Sequence, residues 1–285
     1  MAIDYERLMS LETPDVESRY GDRETMLYAL AVGMASDPLD RDELRFVYEK
    51  DLRAVPTMAT VIAWDNRLVR ESGVDYLKVV HGEQRVSLHR PLPPAAVVTA
   101  RSRVAAAVDK GADKGALLYV ETTIRDKASG DLLCTNLSTI FARGDGGFGG
   151  PSVGGPAPHR LPDRPPDAVR DLATRPDQAL LYRLCGDRNP LHADPDTARA
   201  AGFPRPILHG LCTFGQTCRA VLAEMCAYDP ARIKSFEARF SAPMFPGETI
   251  RAEMWRDGDT VSFRALVAER DALVLNNGKA ELAPG

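Results

Sequence analysis

The stretch Cys185-Gly186-Asp187-Arg188-Asn189-Pro190-Leu191-His192 holds the densest group of residues able to do chemistry. Asp187 and His192 stand five positions apart with Pro190 between them, so they cannot share a regular helix face. Glycine and proline instead force a compact turn that can aim both side chains at one point. A carboxylate beside an imidazole is a competent acid–base pair, because histidine titrates near neutrality and a neighbouring charge tunes it. The plainer alternative has Asp187 capping the turn and His192 packed as an ordinary polar residue. Further on, Pro206-Ile207-Leu208-His209-Gly210-Leu211 leads into an apolar run. Glycine at the mouth of a helix exposes backbone N–H groups where the macrodipole favours negative charge. An amide there can receive a developing oxyanion, a contact typically worth ~3 kcal/mol in a dry site. The alternative is that Gly210 only permits the turn while His209 hydrogen-bonds locally.

Other residues carry weaker signals. His192, Asp194 and Asp196 lack the second histidine a metal set would need, and the two aspartates suit a turn and helix cap before Thr197. No metal and no cofactor are expected. Cys212, Cys218 and Cys226 fall on or beside an apolar helix face, and neither Cys134 nor Cys185 has a recognisable partner base. Trp64 and Trp255 are expected to pack. Arg219 falls on the opposite face of the same helix and is expected to meet solvent rather than a phosphate. No P-loop is present, and the one run of GxGxxG spacing, Gly144–Gly149, lies in a Gly/Pro-rich stretch with no helix pattern after it.

The elements that must hold these residues are partly legible. Leu211, Phe214, Cys218, Val221, Leu222, Met225 and Cys226 follow offsets 0, 3, 7, 10, 11, 14 and 15, one face of a helix ending before Asp229-Pro230. Three strand-like runs follow, around Phe236–Phe240, Thr249–Trp255 and Thr260–Ala268, the last two joined by a hairpin signal at Arg256–Asp259. Upstream, Asp22 is a candidate cap for a helix from Arg23 whose Met26, Leu27, Leu30 and Met34 recur at helical spacing. After it come the β-rich runs KVVHGEQRVSLHR, AAVVTARSRVAAAV, GALLYVETTIRD and DLLCTNLSTIFAR. Between Arg143 and Asp167, 13 of 25 residues are Gly or Pro, a density neither helix nor strand survives. That connection divides the chain into an N-terminal half, 1–150, a linker, 151–167, and a second half, 168–285. Each half reads as helix plus antiparallel strands, the α+β pattern of a sheet wrapped on a helix, and the repetition suggests an internal duplication.

Composition narrows the partners. With 36 Lys+Arg against 40 Asp+Glu and a net charge of −4, the 285-residue chain lacks the basic excess of a nucleic-acid binder. No apolar run approaches the ~20 residues of a membrane span. The opening MAIDYERLMSLETPDVESRY has no apolar signal region, and the closing ELAPG has no lipidation box or receptor-read address. Five cysteines without a CxxC pair fit a reducing compartment. A cytoplasmic protein is expected.

Taken together, YRLCGDRNPLHADPDTARAAGF followed by PILHGLCTFG closely resembles the signature of the MaoC-like (R)-specific enoyl-CoA hydratases, in the hydratase 2 branch. DRETMLYALAVG, HGEQRVSLHRPLP, DKGADKGALLYVE, GGFGG and ARFSAPMFPGETIRAEMW extend the resemblance over nearly the whole chain, in the order the family has them. The resemblance implies a double hot-dog fold with one active site, its chemistry in the C-terminal half and room for the acyl chain in the N-terminal half. It implies Asp187 and His192 as the catalytic pair, Asn189 fixing the loop or a water, and Gly210 as the N–H that receives the thioester oxygen. It also implies substrate contacts at His81, Gly82 and Phe240, and a CoA-contacting lysine that is either Lys110 or Lys114. The partner is then an acyl-CoA thioester, with neither nucleic acid nor membrane, and the assembly a homodimer. The alternatives are a 3-hydroxyacyl thioester dehydratase acting on acyl carrier protein and a hot-dog thioesterase.

Overall fold

Ten strands account for the frame of the computed structural model, which describes residues 3–284. Five lie before the Gly/Pro-rich stretch: β1 (Val16–Tyr20), β2 (Val79–Leu88), β3 (Ala96–Asp109), β4 (Ala116–Asp126) and β5 (Leu132–Ala142). Five follow it: β6 (Ala168–Ala173), β7 (Ile233–Phe240), β8 (Thr249–Asp257), β9 (Thr260–Val267) and β10 (Ala272–Leu282). They form one sheet in the order β1-β3-β4-β5-β2-β7-β10-β9-β8-β6. The first half's order, 1-3-4-5-2, is repeated by the second half as 6-8-9-10-7. The two copies join edge to edge where β2 pairs antiparallel with β7, from Glu83↔Arg239 to Ser87↔Ser235. This is the double hot-dog architecture the sequence pointed to.

Seven α-helices are described: α1 (Tyr5–Met9), α2 (Asp22–Ala31), α3 (Arg41–Leu44), α4 (Arg67–Glu71), α5 (Gln178–Tyr182), α6 (Pro195–Ala200) and α7 (Gly210–Cys226). Only α7 is long, and 14 of its 17 residues are buried. It is therefore enclosed on all sides, not on one apolar face. Inward residues of the second half alternate along the strands as a half-buried sheet requires: Ile250, Ala252 and Met254, then Val261, Phe263, Ala265 and Val267, all without exposure. Phe236 and Phe263 stack at 4.6 Å, and Phe214 of α7 meets Phe236 edge-on at 4.8 Å. Burying each such side chain contributes about 1.5–3 kcal/mol.

Two expectations from the sequence are corrected. The first concerns α2. Its cap is Gly21, whose N–H donates to the Glu24 carboxylate at 2.8 Å, and not Asp22. Its buried stripe is Thr25, Tyr28 and Ala29, while Leu30 is 43% exposed. The helix packs against elements of the other half, with Gln178 and Cys212 both donating to the Ala31 carbonyl, and that contact rotates the stripe. The second concerns Arg219, which is 5% exposed and ion-paired with the buried Glu43 at 2.6 Å. It reaches the segment that follows α2, because the N-terminal half offers no long helix there and an irregular chain fills the space. Trp255, as expected, packs; its Nε1–H donates to the Arg164 carbonyl.

The Gly/Pro-rich stretch is a strap. Asp109 gathers its start, the carboxylate accepting N–H bonds from Gly111, Gly147 and Gly149 at 2.7–2.8 Å. The chain then crosses the sheet strand by strand. Tyr119 of β4 donates to Gly154, Arg85 of β2 to Ala157, and Asn277 of β10 to His159. His159 meets Ser262 of β9, and Trp255 of β8 donates to Arg164. These partners alternate along their strands with core residues such as Val86, Phe263 and Met254, so the strap lies on the face opposite α7.

Candidate active site

The Cys185–His192 loop starts where the turn after α5 ends. Gly186 takes φ +150°, and a Cβ on it would stand 3.2 Å from the Trp64 Cβ, so a side chain at this position would meet both strain and crowding. The loop is then held by its own side chains. Asp187 Oδ1 accepts from the Asn189 N–H, and Asn189 Oδ1 accepts from the Leu191 N–H, both at 3.0 Å. Pro190 begins a short 3₁₀ turn that carries His192 inward. Asn189 is thus one of the side chains that hold the loop's turn. Asp194 accepts from Asp196 N and Thr197 Oγ1 as the cap of α6, the cap role expected from the sequence.

His192 is buried, and its Nδ1 lies 2.9 Å from the Ile207 carbonyl. A carbonyl only accepts, so Nδ1 carries the hydrogen and Nε2 keeps a lone pair. Burial holds the imidazole below its ordinary range and nearby Arg183 adds to this, against the opposing pull of the Ile207 carbonyl and Asp187. A neutral ring with a free Nε2 is a base.

His209 completes the group, a residue the sequence reading left as a local hydrogen-bonder. Its Nε2 lies 3.1 Å from the Asp187 carbonyl, and its ring stacks on His192 at 3.7 Å with 26° between planes. One donor atom each from Asp187, His192 and His209 lies within 4.8 Å of the others. Three ligand atoms this close can also hold a small polar molecule such as water. No signal in one sequence marks His209 apart from its neighbour Gly210, because the contact depends on two loops meeting in space.

Gly210 opens α7, and its N–H, the first of the helix, has no intrahelical acceptor. A Cβ on Gly210 would lie 3.0 Å from Phe240 Cδ1. Phe240 in turn packs on His81 at 4.8 Å between ring centroids. Gly82 sits at the irregularity between His81 and Glu83 in the β2–β5 pairing, a bulge that re-aims its neighbour. Burial holds His81 at about 4, so it is neutral at pH 7. His81, Phe240 and Gly210 therefore form one continuous surface, which Gly210 joins to His209 along the chain.

Lys110 and Lys114 are exposed on the turn between β3 and β4. Register places that turn at the His81 end of the sheet: Asp109 pairs with Ala116, Ala116 with Ala142, and Ala142 with Val79. Two strand steps, roughly 10 Å, separate β4 from β2. Behind Gly186, a cavity of about 370 Å³ opens between β1, β3 and residues 61–65, lined by Val16, Ser18, Val61, Trp64 and Ala100 among others.

Comparison with known proteins covers nearly the whole chain. Residues 18–144 match the MFE-2 hydratase 2 N-terminal domain family, and residues 158–277 match the MaoC like domain family. The enoyl-CoA hydratase 2, peroxisomal, of Arabidopsis thaliana is 39% identical over 94% of this chain and 92% of its own. The peroxisomal multifunctional enzyme type 2 of Mus musculus is 38% identical over 95% of this chain, which spans 37% of that larger protein. The crystal structure of a MaoC-like dehydratase from Phytophthora capsici superposes with a TM-score of 0.88 at 32% identity, covering 99% of this chain and 98% of its own. The chain belongs to the hydratase 2 branch of the MaoC-like family.

Proposed function

We propose that this protein is an (R)-specific 2-enoyl-CoA hydratase, a hydro-lyase that adds water syn across trans-2-enoyl-CoA to give (3R)-3-hydroxyacyl-CoA. The observation that carries the reading is the meeting of Asp187, His192 and His209 at the mouth of α7, where the Gly210 N–H follows His209 in the chain. Hydration needs a water at C3, a proton at C2 and a stabilised enolate oxygen. Asp187 and His192 hold one water between them. His192 Nε2 takes a proton as the water oxygen bonds to C3, and the alkene electrons move onto the thioester oxygen, held by the Gly210 N–H at the positive end of the helix. The pair then returns the proton to C2 on the same face, and the carbonyl re-forms. Water is consumed whole and nothing is oxidised or reduced. Reversal gives dehydration of the 3-hydroxyacyl thioester through the same atoms.

Within this reading, the 168–285 half carries the chemistry and the 1–150 half receives the substrate. His81, Gly82 and Phe240 flank the thioester, the cavity behind Gly186 accepts the acyl chain, and Lys110 or Lys114 meets the CoA phosphates. Five free thiols accord with a reducing, cytoplasmic setting; among the described residues no helix is long and apolar enough to cross a membrane. A homodimer is part of the same reading, and sedimentation at micromolar concentration tests it. The reaction itself is tested with crotonyl-CoA and trans-2-decenoyl-CoA, following both loss of the enoyl chromophore and release of free thiol. Chromophore loss without thiol release is expected. Thiol release would make the protein a thioesterase instead.

A further inference from the structure

One side chain touches both members of the acid–base pair. His209 directs Nε2 at the Asp187 carbonyl, 3.1 Å away, and lays its ring on the His192 imidazole at 3.7 Å. The same ring meets Tyr182 at 5.0 Å, and Tyr182 meets Tyr28 of α2 at 6.1 Å. His192 thus stands at the end of an aromatic column that begins in the core. His209 is 2% exposed and is the cap residue of α7, so its position is fixed by the longest helix of the fold.

We propose that His209 is a positioning residue for the acid–base pair, spacing Asp187 from His192 and keeping the proton that the pair exchanges on His192 alone. The hydrogen-bonding pattern supplies the reason. A carbonyl only accepts, so Nε2 of His209 carries the hydrogen. Nδ1 is buried and finds no partner among the described residues, so a second hydrogen there would have no acceptor. A protonated His209 would also face the His192 ring at stacking distance, and two imidazolium rings repel at that separation. Burial, reinforced by His192, holds His209 down to about 3. When His192 takes the proton from water, its charge therefore lies against a neutral ring.

His192 faces Asp187 from its own loop, Arg183 from the turn after α5, and His209 from the start of α7. Of these, only His209 both covers the ring from water and contacts Asp187. A buried imidazole with an unpaired lone pair is a poor choice for packing alone, since an unmet buried polar atom costs about 1–3 kcal/mol.

The inference rests on the hydratase reading for its kinetic arm and on geometry alone for its second arm. His209→Gln keeps a donor at the Nε2 position for Asp187 and removes the ring; His209→Phe keeps the ring and removes the donor. In kcat/KM against pH for crotonyl-CoA, His209→Gln is expected to move the acid limb up, toward the ordinary imidazole range, because His192 loses its cover. His209→Phe is expected to leave that limb in place and lower kcat about tenfold or more at every pH, with KM changed far less. Proton NMR titration of His192 in the same variants needs no substrate, and a chain with five histidines keeps the spectrum assignable. A His192 midpoint raised in His209→Gln but not in His209→Phe supports the assignment, even for a protein inactive on enoyl-CoA. Unchanged midpoints in both, or equal rises in both, overturn it. If the wild type does not hydrate enoyl-CoA, the hydratase reading fails while the NMR arm still decides the role of His209.

Discussion

Gly210 and Phe240 lie so close that a Cβ added to Gly210 would stand 3.0 Å from the aromatic ring. The ring borders the open end of α7, where Gly210 itself remains exposed. Gly210→Ala should push Phe240 aside and disturb the acceptor position proposed at its N–H. A fall in kcat of about tenfold or more is expected, within the ~3 kcal/mol that such a donor contributes. KM for crotonyl-CoA should change less. Unchanged kcat would remove Gly210 from the oxyanion role.

Asp187→Asn and His192→Gln should each lower hydration by about 10²–10⁴. Circular dichroism and melting temperature should stay near the wild-type values, because Asp187 lies on a loop and the His192 ring packs at its edge rather than in the main core. Near-normal turnover in either variant would dissolve the pair.

Arg219 and Glu43 tie the central helix to the N-terminal half through a bond buried on both sides, with Tyr228 and Ser36 completing the shell. Removing one partner strands the other charge, so Glu43→Gln should cost about 3–5 kcal/mol in urea unfolding. Combining it with Arg219→Met should recover much of the loss. Additive losses would show that the two side chains stabilise the fold separately.

His81 and His209 are held neutral, at about 4 and about 3, and His192 is lowered in the same direction. Each binds a proton more weakly folded than unfolded, so the unfolded state gains protons first as pH falls. Their stability contribution is complete above the unfolded value of about 6.5 and is lost on acidification, by up to ~1.4 kcal/mol per pH unit per group. Melting temperature should fall between pH 7 and pH 5, and His81→Gln should flatten that slope. A melting temperature independent of pH over this window would mean the rings are solvated.

Val61 borders the cavity behind Gly186. Val61→Trp should lower kcat/KM for trans-2-decenoyl-CoA while sparing crotonyl-CoA, if the acyl chain enters there. Equal losses on both substrates would place the chain elsewhere.

Much of this architecture was legible in the sequence because local pattern and tertiary role coincide. The apolar spacing from Leu211 to Cys226 is that of a buried helix, and α7 is one. The strands from Val79 to Ala142 carry enough β-branched residues between turn signals to be read directly. Asp187 and His192 were visible because proline and glycine between and before them announce a built turn. The rest depended on contacts distant in sequence. β1 and β6 are edge strands of five and six residues, too short to show a clear alternation. β10 is interrupted around Asn276–Lys279 by a bulge that hides its alternation. α2 turns its stripe to suit the opposite half, and Arg219 looked solvent-facing because Glu43 lies far upstream. His209 shows the same limit at the site: its two contacts come from loops that only the fold brings together.

The configuration of the product tests the central assignment most directly. With the water on Asp187 and His192 and the thioester oxygen on Gly210, as proposed, only one face of the enoyl thioester would be reached. Chiral analysis of the product from trans-2-decenoyl-CoA should therefore return the (3R)-3-hydroxyacyl-CoA alone. A (3S) product, or a mixture of both, would contradict the assignment.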